Sequence, residues 1–402
     1  MTRRRWINER LPSRYNAISR RTGDRRCLRA TRRVCHQFGL AMFCLLFASQ
    51  LFGAEELQRD PAKPKETYPN VDVIYDAVAG PNRQELRAII THPQQAPGKL
   101  PVIFVAGWLS CDSVEAPEGT MDASGLVFRG LAQMPGYCTF RIDKPGVGDS
   151  EGDCSKTDFD TELAGYRAAF KALERYDFID KDQVYILGIS NGGGFAPLVP
   201  ETDADQERVR GYVVVGGWVK TWFEHMLEIE RRRFTLMGNS PAQVNERMKG
   251  VADLYHEILF KNRPATDIFE MQPKLVDLWP DGPDHEHLYG RPLAFYQQLQ
   301  KLNLAAAWSR VKVPTLVLHG EYDWIMSRDD HEIIARLVNA NTPGAAKFIE
   351  LPKTGHTFQH YLSMPDAFAG KQAAFDPEAL RVVTDWFKHR QDSNASKPKV
   401  GT

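Results

Sequence analysis

The chain lacks an excess of either charge: 51 Lys and Arg stand against 51 Asp and Glu in 402 residues. Neither G-x-x-x-x-G-K nor G-x-G-x-x-G occurs, which removes the usual phosphate cradle and the dinucleotide fingerprint. Cysteine is sparse as well. Cys27, Cys35 and Cys44 lie near the N-terminus, leaving Cys111, Cys138 and Cys154 beyond them. None has the paired spacing of a zinc site. Three thiols allow one disulfide and one free cysteine, or no bridge at all. No metal or organic cofactor is expected.

The balanced charge hides an asymmetry. Residues 1–39 hold 12 Arg against Glu9 and Asp24, so the remainder carries 39 basic and 49 acidic residues. An acidic body of this kind argues against nucleic acid or anionic lipid as a partner. The basic leader runs into an uncharged apolar stretch, Phe38 to Ala48, followed by Ala54-Glu55-Glu56. Positive region, short apolar region and small residue before a polar start read as a signal peptide over residues 1–54. Export to the periplasm or beyond follows, with no membrane partner after cleavage. An uncleaved membrane anchor is the rival reading, because the apolar stretch nears the lower length for a span.

With 43% hydrophobic residues, the chain can bury a large core in one domain or two. Its organising stretch is Val184-Tyr-Ile-Leu-Gly-Ile-Ser190-Asn-Gly-Gly-Gly194. An apolar, β-branched run ends in Gly-Ile-Ser-Asn-Gly and leads into small residues. This is the spelling of a nucleophile elbow: the serine sits on a strained strand-to-helix turn, and its neighbours must lack side chains that would collide. Such a five-residue pattern arises by chance in roughly one chain in ten of this length, so its weight rests on what surrounds it.

Residues 55–70 read as a structureless linker. Val71–Tyr75 and Glu85–Ile90 then suggest an antiparallel pair. Leu100–Val105 is a continuous apolar run, the pattern of a strand buried on both faces, and it breaks at Ala106-Gly107-Trp108. A helix near 122–134 leads to a strand over 137–143 and a glycine-rich loop, Asp143-Lys-Pro-Gly-Val-Gly-Asp-Ser150. Phe159, Leu163, Tyr166, Phe170 and Leu173 recur at helical spacing before the elbow strand. Gly211–Gly216 is the next strand. Residues 218–309 break the alternation with a helix-like, aromatic-rich stretch that includes Trp218 and Trp222. Within it, Arg231, Arg232 and Arg233 read as a solvated helix face, and His285-Glu-His287 as a solvated loop. Strands resume at 313–319, followed by Asp323, and at 346–351, followed by His356. A helix from Pro377 to His389 and a disordered tail, 391–402, complete the chain. The strand–helix alternation implies a parallel, doubly wound sheet.

Ser190, Asp323 and His356 each follow a strand, in the order serine, acid, histidine. Together with the elbow and the Asp-x-x-Gly-x-Gly-x-Ser loop, this resembles the α/β-hydrolase superfamily over residues 71–390. The resemblance implies a mostly parallel eight-stranded sheet, with a core of 71–217 and 310–390 and a helical cap of 218–309. It implies Ser190 as nucleophile, His356 as base and Asp323 as acid, with Glu321 and His360 as rivals for the last two roles. It implies an oxyanion hole of the Asn191 and Trp108 backbone N–H groups. Here Ala106-Gly107 replaces the His-Gly of many relatives. Trp218 and Trp222 are candidates to contact substrate. The expected function is a serine carboxylesterase acting on a hydrophobic or aromatic ester. The alternatives are a peptidase of prolyl-oligopeptidase type and a non-catalytic binding protein.

Overall fold

The computed structural model describes residues 65–395, with side chains to residue 390; the leader and its signal-peptide reading lie outside the described residues. The strands are β1 (Val71–Ala79), β2 (Glu85–Pro93), β3 (Leu100–Ala106), β4 (Cys138–Ile142), β5 (Ile179–Ile189) and β6 (Val209–Val215), with β9 (Thr315–Gly320) and β10 (Ala346–Leu351) after the insertion. They form one eight-stranded sheet in the order β1-β2-β4-β3-β5-β6-β9-β10. β1 and β2 pair antiparallel, as do β2 and β4, and every later pairing is parallel.

The continuous apolar strands are explained by burial on both sides. Successive side chains of a strand face opposite ways, and β3 divides accordingly. Val102, Phe104 and Ala106 enter one core, while Ile103 and Val105 enter the other. The first core takes Leu163, Tyr166 and Phe170 from α2 (Phe159–Ala172). The helical spacing read there is thus an inward stripe, and Asp158 caps it by accepting from the Thr161 N–H at 2.9 Å. The second core takes Val127, Phe128 and Leu131 from α1 (Ala123–Ala132) and Val383 and Phe387 from the terminal helix.

After the elbow come α3 (Asn191–Phe195) and α4 (Asp203–Arg208). The insertion is then built from α5 (Trp222–Leu236), α6 (Pro241–Leu259), α7 (Ala265–Met271), α8 (Leu293–Leu299) and α9 (Leu304–Trp308). Thr221 with Glu224, and Ser240 with Gln243, form reciprocal capping boxes that start α5 and α6. A feature not anticipated is a two-residue hairpin within this region, β7 (His287–Leu288) against β8 (Arg291–Pro292). The loop 285–287 is not simply solvated: His285 packs on Phe269 at 4.8 Å, and His287 pairs with Asp284 at 3.0 Å. α10 (Arg328–Asn341) follows β9, and α11 (Met364–Phe368) precedes α12 (Pro377–Ala395), with a small pairing of β11 (Gln359–His360) and β12 (Ala374–Phe375) around it.

Two boundary readings are corrected. The linker reading of 55–70 fails at its C-terminal end, because Glu66 and Tyr68 are buried. Glu66 forms an ion pair with buried Arg141 at 2.7 Å and accepts from Tyr68 at 2.6 Å. The polarity that suggested a free linker is consumed inside the protein. The tail reading begins too early, since α12 continues to Ala395. Of the cysteines, Cys111 and Cys154 are bridged, and Cys138 is a buried free thiol whose pKa burial pushes up to about 12.

Candidate active site

The elbow is built by close approach. A side chain at Gly192 would place its Cβ 2.1 Å from the Ala106 carbonyl oxygen, and one at Gly188 would meet the Gly192 carbonyl oxygen at 2.6 Å. Only glycine lets β5 turn this tightly into α3 beside the end of β3. Ser190, between them, is held at φ 56° and ψ −120°, a region costly for a non-glycine residue and characteristic of functional sites. The turn leaves Ser190 8% exposed.

The three residues that follow strand ends converge. His356 Nε2 lies 2.9 Å from Ser190 Oγ, and His356 Nδ1 lies 2.7 Å from Asp323 Oδ2. The other carboxylate oxygen of Asp323 accepts from the N–H groups of Ile325 and Met326, each at 2.9 Å. Burial alone would raise the Asp323 pKa. The His356 imidazole beside it and the hydrogen bonds to the carboxylate outweigh that and hold it down to about 2. Asp323 therefore stays ionised and orients the ring. The carboxylate of Glu321 points elsewhere and accepts from the Lys353 N–H at 2.7 Å, while His360 is exposed in the β11 pairing. Gly216, at φ +58°, makes room for the imidazole: a Cβ there would lie 2.9 Å from His356 Cε1.

The two proposed oxyanion donors lie on adjoining segments. Asn191 opens α3 directly after the serine. Trp108 follows Ala106, whose carbonyl abuts Gly192, and its ring stacks on Phe128 at 5.8 Å. The preceding N–H, that of Gly107, is already committed to the Tyr166 hydroxyl at 3.0 Å. Trp108, the expected second donor, is one residue further on.

Trp218 and Trp222, expected to face substrate, are instead sealed in, at 1% and 3% exposure. Trp218 Nε1 donates to the Asn191 side-chain oxygen at 3.0 Å, and the two indoles meet edge to face at 4.9 Å. They brace the elbow. The arginine run also departs from its reading. Arg231 is exposed, but Arg232 donates to the carbonyls of Trp324 and Ile325 at 2.8 and 2.7 Å, and Arg233 pairs with buried Glu230. α5 thereby holds the loop that carries Asp323.

Sequence reasoning missed a set of buried groups around this centre. His331 accepts from the Gly217 N–H at 2.9 Å through Nε2, and its Nδ1 lies 2.7 Å from the Ser327 carbonyl. Asp330 accepts from the N–H groups of Val219 and Lys220 at 2.9 and 3.0 Å. His225, in the first turns of α5, stacks against Trp222 at 4.7 Å. Burial holds both histidines near a pKa of about 4, so both are neutral at neutral pH. The only sequence signal for them was histidine within otherwise helical stretches, which is common in cores.

A family model for the α/β hydrolase fold matches residues 101–361. None of the curated proteins is a significant sequence match to this chain. Among solved structures, Est1E of Butyrivibrio proteoclasticus with ferulic acid bound is 15% identical, covers 81% of this chain and 100% of its own, and has a TM-score of 0.49. A hyperthermophilic esterase from the archaeon Pyrobaculum calidifontis is 18% identical, with coverage of 83% and 88% and a TM-score of 0.47. A thermophilic carboxylesterase from a metagenomic library is also 18% identical, with coverage of 80% and 89% and a TM-score of 0.47.

Proposed function

The chain belongs to the α/β-hydrolase fold family, and within that family we propose that it is a serine hydrolase, a carboxylesterase acting on a hydrophobic or aromatic ester. The observation that carries the proposal is the unbroken relay from Ser190 through His356 to Asp323, at 2.9 and 2.7 Å. His356 takes the Ser190 proton as Oγ attacks the acyl carbon, and the anionic Asp323 stabilises the imidazolium so formed. The Asn191 and Trp108 N–H groups receive the charge that develops on the carbonyl oxygen. His356 returns the proton to the leaving alcohol, and water releases the acyl group by the same steps. The aromatic-rich composition of the 218–309 insertion supports an apolar substrate, while its Trp218 and Trp222 pack inward. The basic leader and apolar stretch ahead of the fold support export.

A fluorophosphonate probe tests the reaction class. The protein labels and Ser190→Ala does not, and p-nitrophenyl esters turn over faster than aminoacyl naphthylamides. Faster amide turnover would move the enzyme to the peptidases. Absence of both labelling and turnover would make it a binding protein. N-terminal sequencing from the native host tests export, for which a mature start at Met1 is the negative result.

A further inference from the structure

The segment 107–111 is held at every residue. Tyr166 takes the Gly107 N–H at 3.0 Å. The Lys144 ammonium donates to the carbonyls of Trp108 and of Ser110, the latter at 2.5 Å. Arg291 Nη1 donates to the Leu109 carbonyl at 3.2 Å, and Cys111 is bridged to Cys154. An ordinary surface connection needs no such restraint. Loops usually leave their carbonyls to water.

Lys144 is the unusual member. It follows Asp143 at the end of β4 and is 5% exposed. Among the described residues no carboxylate forms an ion pair with it, since Asp143 is engaged by Arg87 and Glu162 by Arg291. An ammonium buried against neutral carbonyls is expensive. Leucine or methionine would fill the space at lower cost if packing were the only requirement. Arg291 supplies the matching contact from the cap side: it is fully buried in β8 and paired with Glu162 at 2.5 Å.

We propose that Lys144 is the positioning residue of the oxyanion loop, holding the Trp108 and Ser110 carbonyls so that the Trp108 N–H is fixed before the transition state forms. This rests on the serine-hydrolase reading above. Preorganised donors stabilise developing charge because they need not reorient during reaction, and a loop pinned from both strand and cap meets that condition.

The arrangement titrates. Burial pulls the Lys144 pKa down to about 8. Glu162 from α2, Asp112 from the loop itself and Asp143 from its own strand favour the ammonium, and Arg291 from the cap hairpin opposes it. Raising the pH through this value leaves an uncharged amine and weaker bonds to the loop. General-base catalysis by an imidazole does not by itself produce a decline on the alkaline side.

The experiment compares wild type, Lys144→Met and Lys144→Arg on one p-nitrophenyl ester, alongside a boronate transition-state analogue. For Lys144→Met we expect kcat to fall on the order of 10- to 100-fold, below the loss for removing a donor outright. KM should stay within about twofold, and boronate affinity should fall in step with kcat/KM, as expected for an interaction made in the transition state. Wild-type kcat should decline with an apparent pKa near 8. Lys144→Arg, which stays charged, should lose that limb. A merely structural role would lower thermal stability without this split. Unchanged kcat in Lys144→Met overturns the proposal, and so does a wild-type kcat that is flat from pH 7 to 10, a measurement independent of how the variants fold. A wild type that neither labels with fluorophosphonate nor turns over removes this proposal together with the reading beneath it.

Discussion

The indole N–H of Trp218 donates to the side-chain oxygen of Asn191 at 3.0 Å, so the residue after the nucleophile is oriented by the segment between β6 and α5. Asn191 is the first residue of α3 and carries one of the proposed oxyanion N–H groups. Phenylalanine at position 218 would keep an aromatic ring but leave a buried acceptor without its donor, at a cost of about 1–3 kcal/mol. Trp218→Phe should therefore lower the melting temperature and reduce kcat more than KM. A rise in KM alone would mean that Trp218 contacts substrate after all.

The relay itself predicts a graded loss. Ser190→Ala and His356→Ala should each lose on the order of 10³-fold or more in kcat, because nucleophile and base act as a unit. Asp323→Asn should lose as much or less, since it keeps the shape but no longer fixes the ring tautomer. Thermal stability of Ser190→Ala should stay near wild type. An Asp323→Asn protein with wild-type turnover would hand the acid role to another carboxylate.

Acid sensitivity follows from His225 and His331. Both titrate near 6.5 when unfolded and are held by burial to about 4 when folded. Between these values the unfolded chain binds more protons, so stability falls as pH drops from about 6.5 to about 4 and is restored as it rises. Asp323, held down to about 2, keeps its ionised form throughout this window. Melting temperatures across pH 4–7 should show the slope, and His331→Asn should flatten it. A flat wild-type profile would contradict the prediction.

The ion pair between Glu66 and Arg141 makes the residues before β1 part of the fold. Removing one partner of a buried pair leaves an uncompensated charge and costs about 3–5 kcal/mol. Glu66→Ala, or a chain begun at Val71, should lose stability of that order in urea titrations. Equal midpoints would show the segment to be dispensable.

The bridge from Cys111 to Cys154 closes a separation of 43 residues, for which the loop-entropy relation gives about 4 kcal/mol. Reductant, or Cys154→Ser, should lower the melting temperature accordingly, and indifference to reductant would argue against the bridge.

Much of this centre was legible because its rules are local. A glycine two places either side of Ser190, and an acid and a histidine just beyond buried strands, are sequence-adjacent features that the turn geometry demands. The central strands β3, β6 and β9 were equally plain, because they are buried almost throughout and read as apolar runs. By contrast, β1 and β10 at the sheet edges are only half-buried and carry charged residues. What escaped depends on distant partners. Arg232 sits in an arginine run that looks solvated, yet its guanidinium meets carbonyls 92 and 93 residues away. Lys144 lies in the glycine-rich loop after β4, and its relation to Trp108 exists only once β3 and β4 are side by side. Trp218 and Trp222 begin the aromatic-rich stretch after β6, and their aromatic character could not distinguish a pocket wall from a brace. Glu66 was lost inside a proline-rich polar stretch, where nothing local separates a buried carboxylate from a solvated one.

Cys138 lies at the start of β4 with no exposed surface, and the other two cysteines of the described fold are bonded to each other. A preparation starting beyond Cys44 thus carries a single thiol, in the middle of the sheet. Its alkylation requires the strands to part and the thiolate to form, and burial opposes both. Mass-shift kinetics with a small alkylating reagent would count global openings of the folded protein in plain buffer, through a native side chain that needs no engineered label.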